Sequence, residues 1–300
     1  MALNSNPELS DLKNLKGKKK LLVIILLIIG LICFCFFIVL YFFIPYYEQI
    51  QGAYYYSNYL LIGTILMVIR FVVLFNLVYI LFRKWISHEE PHYSDIPFLL
   101  GLFFYIFIYG KAIDLVGYTV ITISRYIGVF SELFLLNLTK FREALGIVDM
   151  LPIILIGIYF YFFRRSLGRQ DFRKEKIARK NTLIFSIVYI FSMFIIIFLL
   201  QEVKYLTFIV GIISLIGFGF LIWVFVIAFK GKILPDINSL IISIGFILML
   251  ICNVLFPVFI NIFLGGSKIG EAFAFFIVEG GSLIATIIIL IGLKTKAHYK

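Results

Sequence analysis

The chain has 300 residues, 63% of them hydrophobic and 14% charged, with a mean hydropathy of +1.09 and a formal net charge of +11. A soluble domain averages about half apolar and a quarter charged residues, so this composition excludes an ordinary globular enzyme and places the chain among lipid-soluble proteins. Its Lys and Arg residues sit beside apolar runs, where they orient helices and meet anionic inner-leaflet headgroups, and that placement excludes nucleic acid as a partner.

In chain order, residues 1–20 form a basic tail that ends in Lys18, Lys19 and Lys20. The run that follows, LLVIILLIIGLICFCFFIVLYFFI, is too long for a signal-peptide core and lacks a small-residue cleavage site, so it reads as a retained first helix. About 20 apolar residues span a bilayer core, and such runs predict transmembrane helices at 21–44, 58–82, 96–116, 146–164, 182–201, 206–229, 238–263 and 272–293. Pro45 ends the first. Ser94 or Asp95 caps the third, with Pro97 tolerated in its first turn, and Pro235, Asp236 and Asn238 prepare the seventh. The fold class is therefore all-α, a polytopic membrane bundle in one domain over 21–293, with a short tail at 294–300.

The stretch 117–145, GYTVITISRYIGVFSELFLLNLTKFREAL, is ambiguous. With eight spans and a cytoplasmic N-terminus, the inside segments 1–20, 83–95, 164–181, 230–237 and 294–300 hold 20 of the 27 basic residues. Only Lys140, Arg142, Lys204 and Lys268 then lie outside, and Arg70, Lys111 and Arg125 fall within helices. Turning 119–138 into a ninth span reduces the inside total to 11 against 13 outside. The positive-inside rule thus favours eight spans with both termini cytoplasmic, in a chain of the cell membrane. Tyr118, Thr122, Arg125, Glu132 and Thr139 recur near a seven-residue spacing, which makes 117–145 an amphipathic or re-entrant outer helix, or an extension that packs its polar stripe on the bundle.

The motif His88-Glu89-Glu90-Pro91-His92 has the HExxH spacing of zinc peptidases. That chemistry needs both histidines one turn apart on a continuous helix, with the glutamate aimed at a metal-bound water. Pro91 interrupts such a helix at a cost of about 3 kcal/mol and drives Glu90 towards extended geometry. A solvated connector is the expected reading, with a weak site of His88, His92 and Asp95 as its only metal alternative. The expected spans hold no histidine, so bis-histidine haem is excluded and Ser282 in EGGSL has no activating base. Cys33, Cys35 and Cys252 sit in apolar runs without a zinc or redox spacing. The reading carries no catalytic residues, no metal and no cofactor.

What remains is charge inside the membrane, which is expensive and marks functional sites. Counting about 1.5 Å per residue, Arg70 falls near the midplane, while Lys111, Asp114 and Glu279 fall in the outer half. Asn253 and Asn261 flank Pro257 on one face of the seventh span, where the proline is expected to kink the helix. These groups share one slab, and Arg125 and Glu132 join it from the outer segment. Two outcomes compete: a polar cavity opening outward, or the locked pairs Asp114–Lys111 and Glu279–Arg70. The tyrosines of IPYYEQIQGAYYYSNYL suit an interfacial aromatic belt, and the basic 164–181 loop suits the anionic inner leaflet. The leading expectation is a permease-like carrier of a small solute or ion. The alternative is a sensor that binds a ligand in the same cavity and signals through a cytoplasmic protein partner docked on 164–181.

Because the basic residues fix one face of the membrane, a reporter fused after Lys300 is expected on the cytoplasmic side. Activity of an external reporter at that position would refute the topology.

Overall fold

The computed structural model describes residues 7–56, 58–88, 95–127, 130–166, 172–200, 203–255 and 268–297. Helix is the only regular structure among them. In order these are α1 (Pro7–Ile38, running on through a π turn at Val39–Phe43), α2 (Tyr47–Tyr56), α3 (Asn58–Ser87), α4 (Ile96–Ile127) and α5 (Glu132–Ser166). They are followed by α6 (Phe172–Leu199), α7 (Val203–Lys230), α8 (Ser239–Leu250, with a π turn at Ile251–Leu255) and α9 (Lys268–Lys294). A bilayer offers no partner for a free amide, so sequences this apolar satisfy their backbone within each segment.

Five segments are long and apolar enough to cross a membrane: Asn58–Ser87, Ile96–Val120, Leu133–Tyr161, Phe208–Lys230 and Phe275–Lys294. Shorter apolar stretches at Ile24–Ile38, Ile184–Leu199 and Ser239–Leu255 coincide with the three other expected spans. The chain is thus a multi-pass helical membrane protein.

Of the alternatives expected for 117–145, the extension of the bundle helices is the one present. The segment is not a separate amphipathic helix. Residues up to Ile127 prolong α4, and residues from Glu132 belong to α5, which continues unbroken through Pro152. The polar spacing is the upper part of two long antiparallel helices, and Lys140 and Arg142 lie in a spanning segment, not in a loop. The tyrosine-rich stretch also differs from expectation, since it folds as α2. Tyr54 hydrogen-bonds Thr64 on α3 at 3.2 Å, and the Tyr46 ring lies 5.0 Å from Phe130 in the α4–α5 connection.

Six helices close into a ring in the order α3, α4, α5, α7, α8, α9 and back to α3. Neighbours α3 and α9 run parallel: Gly63 faces Phe275, Arg70 bonds Glu279, and Lys84 Nζ donates to the carbonyl of Leu293 at 2.8 Å. Helix α8 is antiparallel to α9; Asn238 caps its first turn by accepting from the amide of Ile241 at 3.2 Å, while the Asn238 amide donates to the Gly292 carbonyl at 2.9 Å. The expected cap before the seventh span is therefore present. Outside the ring, α6 packs on α5, and α1 is tied to α4 by the Tyr105 hydroxyl donating to the Leu27 carbonyl at 2.6 Å.

The ring is filled rather than hollow. Phe103 and Phe104 of α4 meet Phe218 and Phe225 of α7 and Phe246 of α8 in its interior, all five buried, with Phe104 stacked on Phe246 at 6.1 Å and Phe225 on Phe246 at 5.8 Å. This aromatic plug occupies the half of the ring nearer the α3–α4 turn. The charged residues occupy the half nearer the α4–α5 turn.

Small residues set the α8–α9 distance. A Cβ on Gly245 would lie 2.5 Å from the Ile289 side chain and 3.1 Å from the Ala285 carbonyl, whereas Gly211 has open space around it. Gly245→Leu is expected to overpack the interface and destabilise the protein by about 1–3 kcal/mol. Gly211→Ala should be neutral or slightly stabilising, since glycine is a poor helix former. Thermal unfolding in detergent checks both.

Candidate functional site: a chain of buried charges

The acids and bases that the sequence placed at one depth do meet. Arg70 of α3 donates through Nη1 to Glu279 of α9 at 2.8 Å. Lys111 of α4 donates to the other oxygen of the same carboxylate at 3.0 Å and also lies 3.0 Å from Asp114. Arg70, Lys111 and Glu279 are 1%, 4% and 0% exposed. Both expected pairs, Arg70–Glu279 and Lys111–Asp114, are present, and the second Lys111 contact links them into one chain.

The local sequence explains the geometry. Lys111 and Asp114 are three residues apart on α4, so they share a face and flank one turn. Arg70 and Glu279 come from parallel helices whose contacts on either side fix the same level. The Phe107 ring, one turn before Lys111, lies under both cations, 5.1 Å from the Arg70 guanidinium carbon and 5.6 Å from Lys111 Nζ. An aromatic face at this distance helps to hold a desolvated cation.

The chain then extends to a residue the sequence reading had put outside the membrane. Arg142 of α5 binds Asp114 in bidentate fashion, through Nε and through Nη2 at 3.2 Å. Two glycines make its seat. A Cβ on Gly110 of α4 would come within 3.6 Å of the guanidinium, and one on Gly146 of α5 within 3.1 Å of Nη1. Glu143 and Asp149 stand on the same helix near Arg142. Asp149 is 2% exposed and its Oδ1 has no hydrogen-bond partner among the described residues; the Tyr189 hydroxyl of α6, within its electrostatic reach, is likewise buried and unpartnered among them. Thr139, Arg142, Gly146 and Asp149 recur at three- and four-residue steps, and that spacing was the available signal that one helix runs through 132–166.

Other expected members are not brought in by observed contacts. Asn253 lies in the π turn of α8, where its Nδ2 donates back to the Met249 carbonyl at 2.9 Å and its Oδ1 is unpartnered. Its neighbour Cys252 packs on Gly281 of α9, beside the Arg70–Glu279 pair. Asn261 and Pro257 lie outside the described residues, and so do the side chains of Thr122, Arg125 and Glu132. In place of a resolved proline kink, α8 carries a π turn at Ile251–Leu255, a distortion that recurs at functional positions.

Of the HExxH motif, α3 stops at Ser87 and only His88 is described, its Nδ1 3.4 Å from Asp95 Oδ2. The rest of the motif, including His92, lies outside the described residues. No group of three His, Cys, Asp or Glu residues placed to hold a metal occurs among the described residues. A cavity of about 650 Å³ lies elsewhere, between α5 and α7, with the apolar lining of Gly157, Tyr161, Phe220 and Trp223.

No protein-family model, curated protein or solved structure matches this chain.

Removing one partner from a buried ion network leaves an uncompensated charge, which typically destabilises by about 3–5 kcal/mol. Glu279→Ala strands Arg70 and leaves Lys111 with Asp114 alone, and is expected to lower stability by about that much in chemical or thermal unfolding. The double variant Arg70→Met/Glu279→Met, which removes both charges of one pair, should recover a substantial part of the loss.

Proposed function

We propose that this protein is a permease-like carrier of a small solute or ion, an eight-span protein of the cell membrane with both termini cytoplasmic. The supporting observation is the chain Arg70–Glu279–Lys111–Asp114–Arg142, held inside the six-helix ring. Buried ion pairs are weak stabilisers, because desolvation offsets most of their attraction, and apolar residues of similar volume would hold these helices as well. Ionisable residues within spans generally face a substrate or ion pathway.

The chain of charges draws on four helices and two halves of the sequence, so a relative movement of α3 and α9 against α4 and α5 changes its pairing. Such an arrangement suits a solute that replaces one partner of an ion pair. The aromatic plug closes the ring on one side of the charges, and the π turn of α8 lies at their level on the other flank. An occluded carrier has these properties. A protein that only used its charges as a clamp would need neither the unpaired donors of Arg70 nor the interrupted α8.

Cys252 is a native reporter of access, since it is buried beside Arg70 and Glu279. With Cys33→Ser and Cys35→Ser, it is expected to react with a membrane-impermeant thiol reagent in both right-side-out and inverted vesicles. Labelling from a single face, or from neither, would refute alternating access and with it the carrier.

A further inference from the structure

Arg70 uses one of its three nitrogens. Nη1 holds Glu279, while Nε and Nη2 are buried and have no hydrogen-bond partner among the described residues, in a side chain 1% exposed. These two nitrogens form the side edge of the guanidinium, where two N–H bonds point in parallel. That edge matches the two oxygens of a carboxylate. A desolvated guanidinium edge favours an acceptor, and this one is turned away from Glu279. Ser282, one turn beyond Glu279 on α9, adds a third unused donor: its Oγ is also buried and has no partner among the described residues, in a residue 0% exposed. Its neighbour Thr286 bonds the Ser282 carbonyl at 2.7 Å and leaves the hydroxyl free.

Charge and surroundings narrow the ligand. The five residues joined by direct contacts comprise three bases and two acids, a surplus of one positive charge. Glu143 and Asp149 lie beside Arg142, with Asp149 also near Lys111, while Arg70 and Lys111 share the single carboxylate of Glu279. At the Arg70 end a single negative charge restores neutrality, and a dianion such as sulfate would overshoot. Apart from Lys111, and from Ser282 and Thr286 on the far side of Glu279, the residues next to the pair are apolar. Met67 precedes Arg70 by one turn, Phe275 precedes Glu279 by one turn, and Phe107 lies against the guanidinium; all three are buried. A ligand here therefore has a small apolar body.

We infer that the α3–α9 junction binds a small monocarboxylate, both oxygens on the Nε–Nη2 edge of Arg70 and one also accepting from the Ser282 hydroxyl. In transport terms this names the solute of the proposed carrier and rests on that reading; as a binding site it stands by itself.

The test is thermal unfolding of the purified full chain in detergent with sodium propionate. Propionamide, sodium chloride at matched ionic strength and sodium sulfate serve as comparisons. Propionate is expected to raise the unfolding midpoint progressively with concentration, as a ligand of the native state does, and the three comparisons are not. Arg70→Lys keeps a cation for Glu279 but has no fork, and should need about tenfold more propionate for the same shift. Should that variant fail to fold, Ser282→Ala should need about tenfold more, the loss of one hydrogen bond to a charged group. The site is refuted if propionate gives no shift, if sulfate or propionamide gives an equal one, or if the propionate requirement is unchanged in the variant that folds. No propionate effect combined with labelling of Cys252 from both faces removes the carboxylate and leaves the carrier. A propionate effect lost in the variants, with Cys252 labelled from one face, removes the carrier and leaves the site.

Discussion

A charge inside a bilayer has to find its opposite, and Glu279 shows how far that requirement reaches. Its two oxygens take a guanidinium from α3 and an ammonium from α4. One carboxylate on the last helix thereby ties together helices that lie far apart in the chain. Because Lys111 also meets Asp114, and Asp114 is clasped by Arg142, the tie runs on into α5. The ring is closed by electrostatics on one arc. On the other, close packing of glycines such as Gly245 and Gly292 brings α8 against α9. Coulomb attraction at low dielectric is strong but indifferent to shape, whereas the glycine contacts are weak individually and demand a fixed distance. The two arcs therefore constrain different things: which helices are neighbours, and how near they come.

The interior divides by chemistry as well. The half nearer the α3–α4 turn is packed with phenylalanine, and the other half carries the ions. Helices α1, α2 and α6 add no member to the directly bonded chain of charges; α6 brings only the Tyr189 hydroxyl towards Asp149. They surround a ring whose own residues make the site.

Much of this was legible in the sequence, for definite reasons. Long apolar runs declare spanning helices because a bilayer has a fixed thickness. Lys111 and Asp114 declare a shared face by their spacing. Arg70 and Glu279 are separated by 209 positions, and only a common depth counted from helix ends put them together; no local signal links them. The α4–α5 hairpin was left open between an outer amphipathic or re-entrant helix and an extension of the bundle, because a polar stripe beyond an apolar run suits each of them. In α5 such residues are buried against α4 by partners 28 positions away, a compensation no window of sequence displays. Asp149 escaped notice as one acid in an apolar run, although its place on the Arg142–Gly146 stripe marks it as facing the ring. The π turn of α8 has no compositional signature at all.

The phenylalanine plug has a consequence for the cell. Phe104, Phe218, Phe225 and Phe246 interlock across the ring, and their rings fill its interior at that level. A path for water through the ring would have to pass this layer, so in a carrier it would act as the barrier that preserves ion gradients. Any traffic must wait for several rings to part together, so flux would proceed in discrete turnovers at the pace of helix motion, far below the throughput of an open pore.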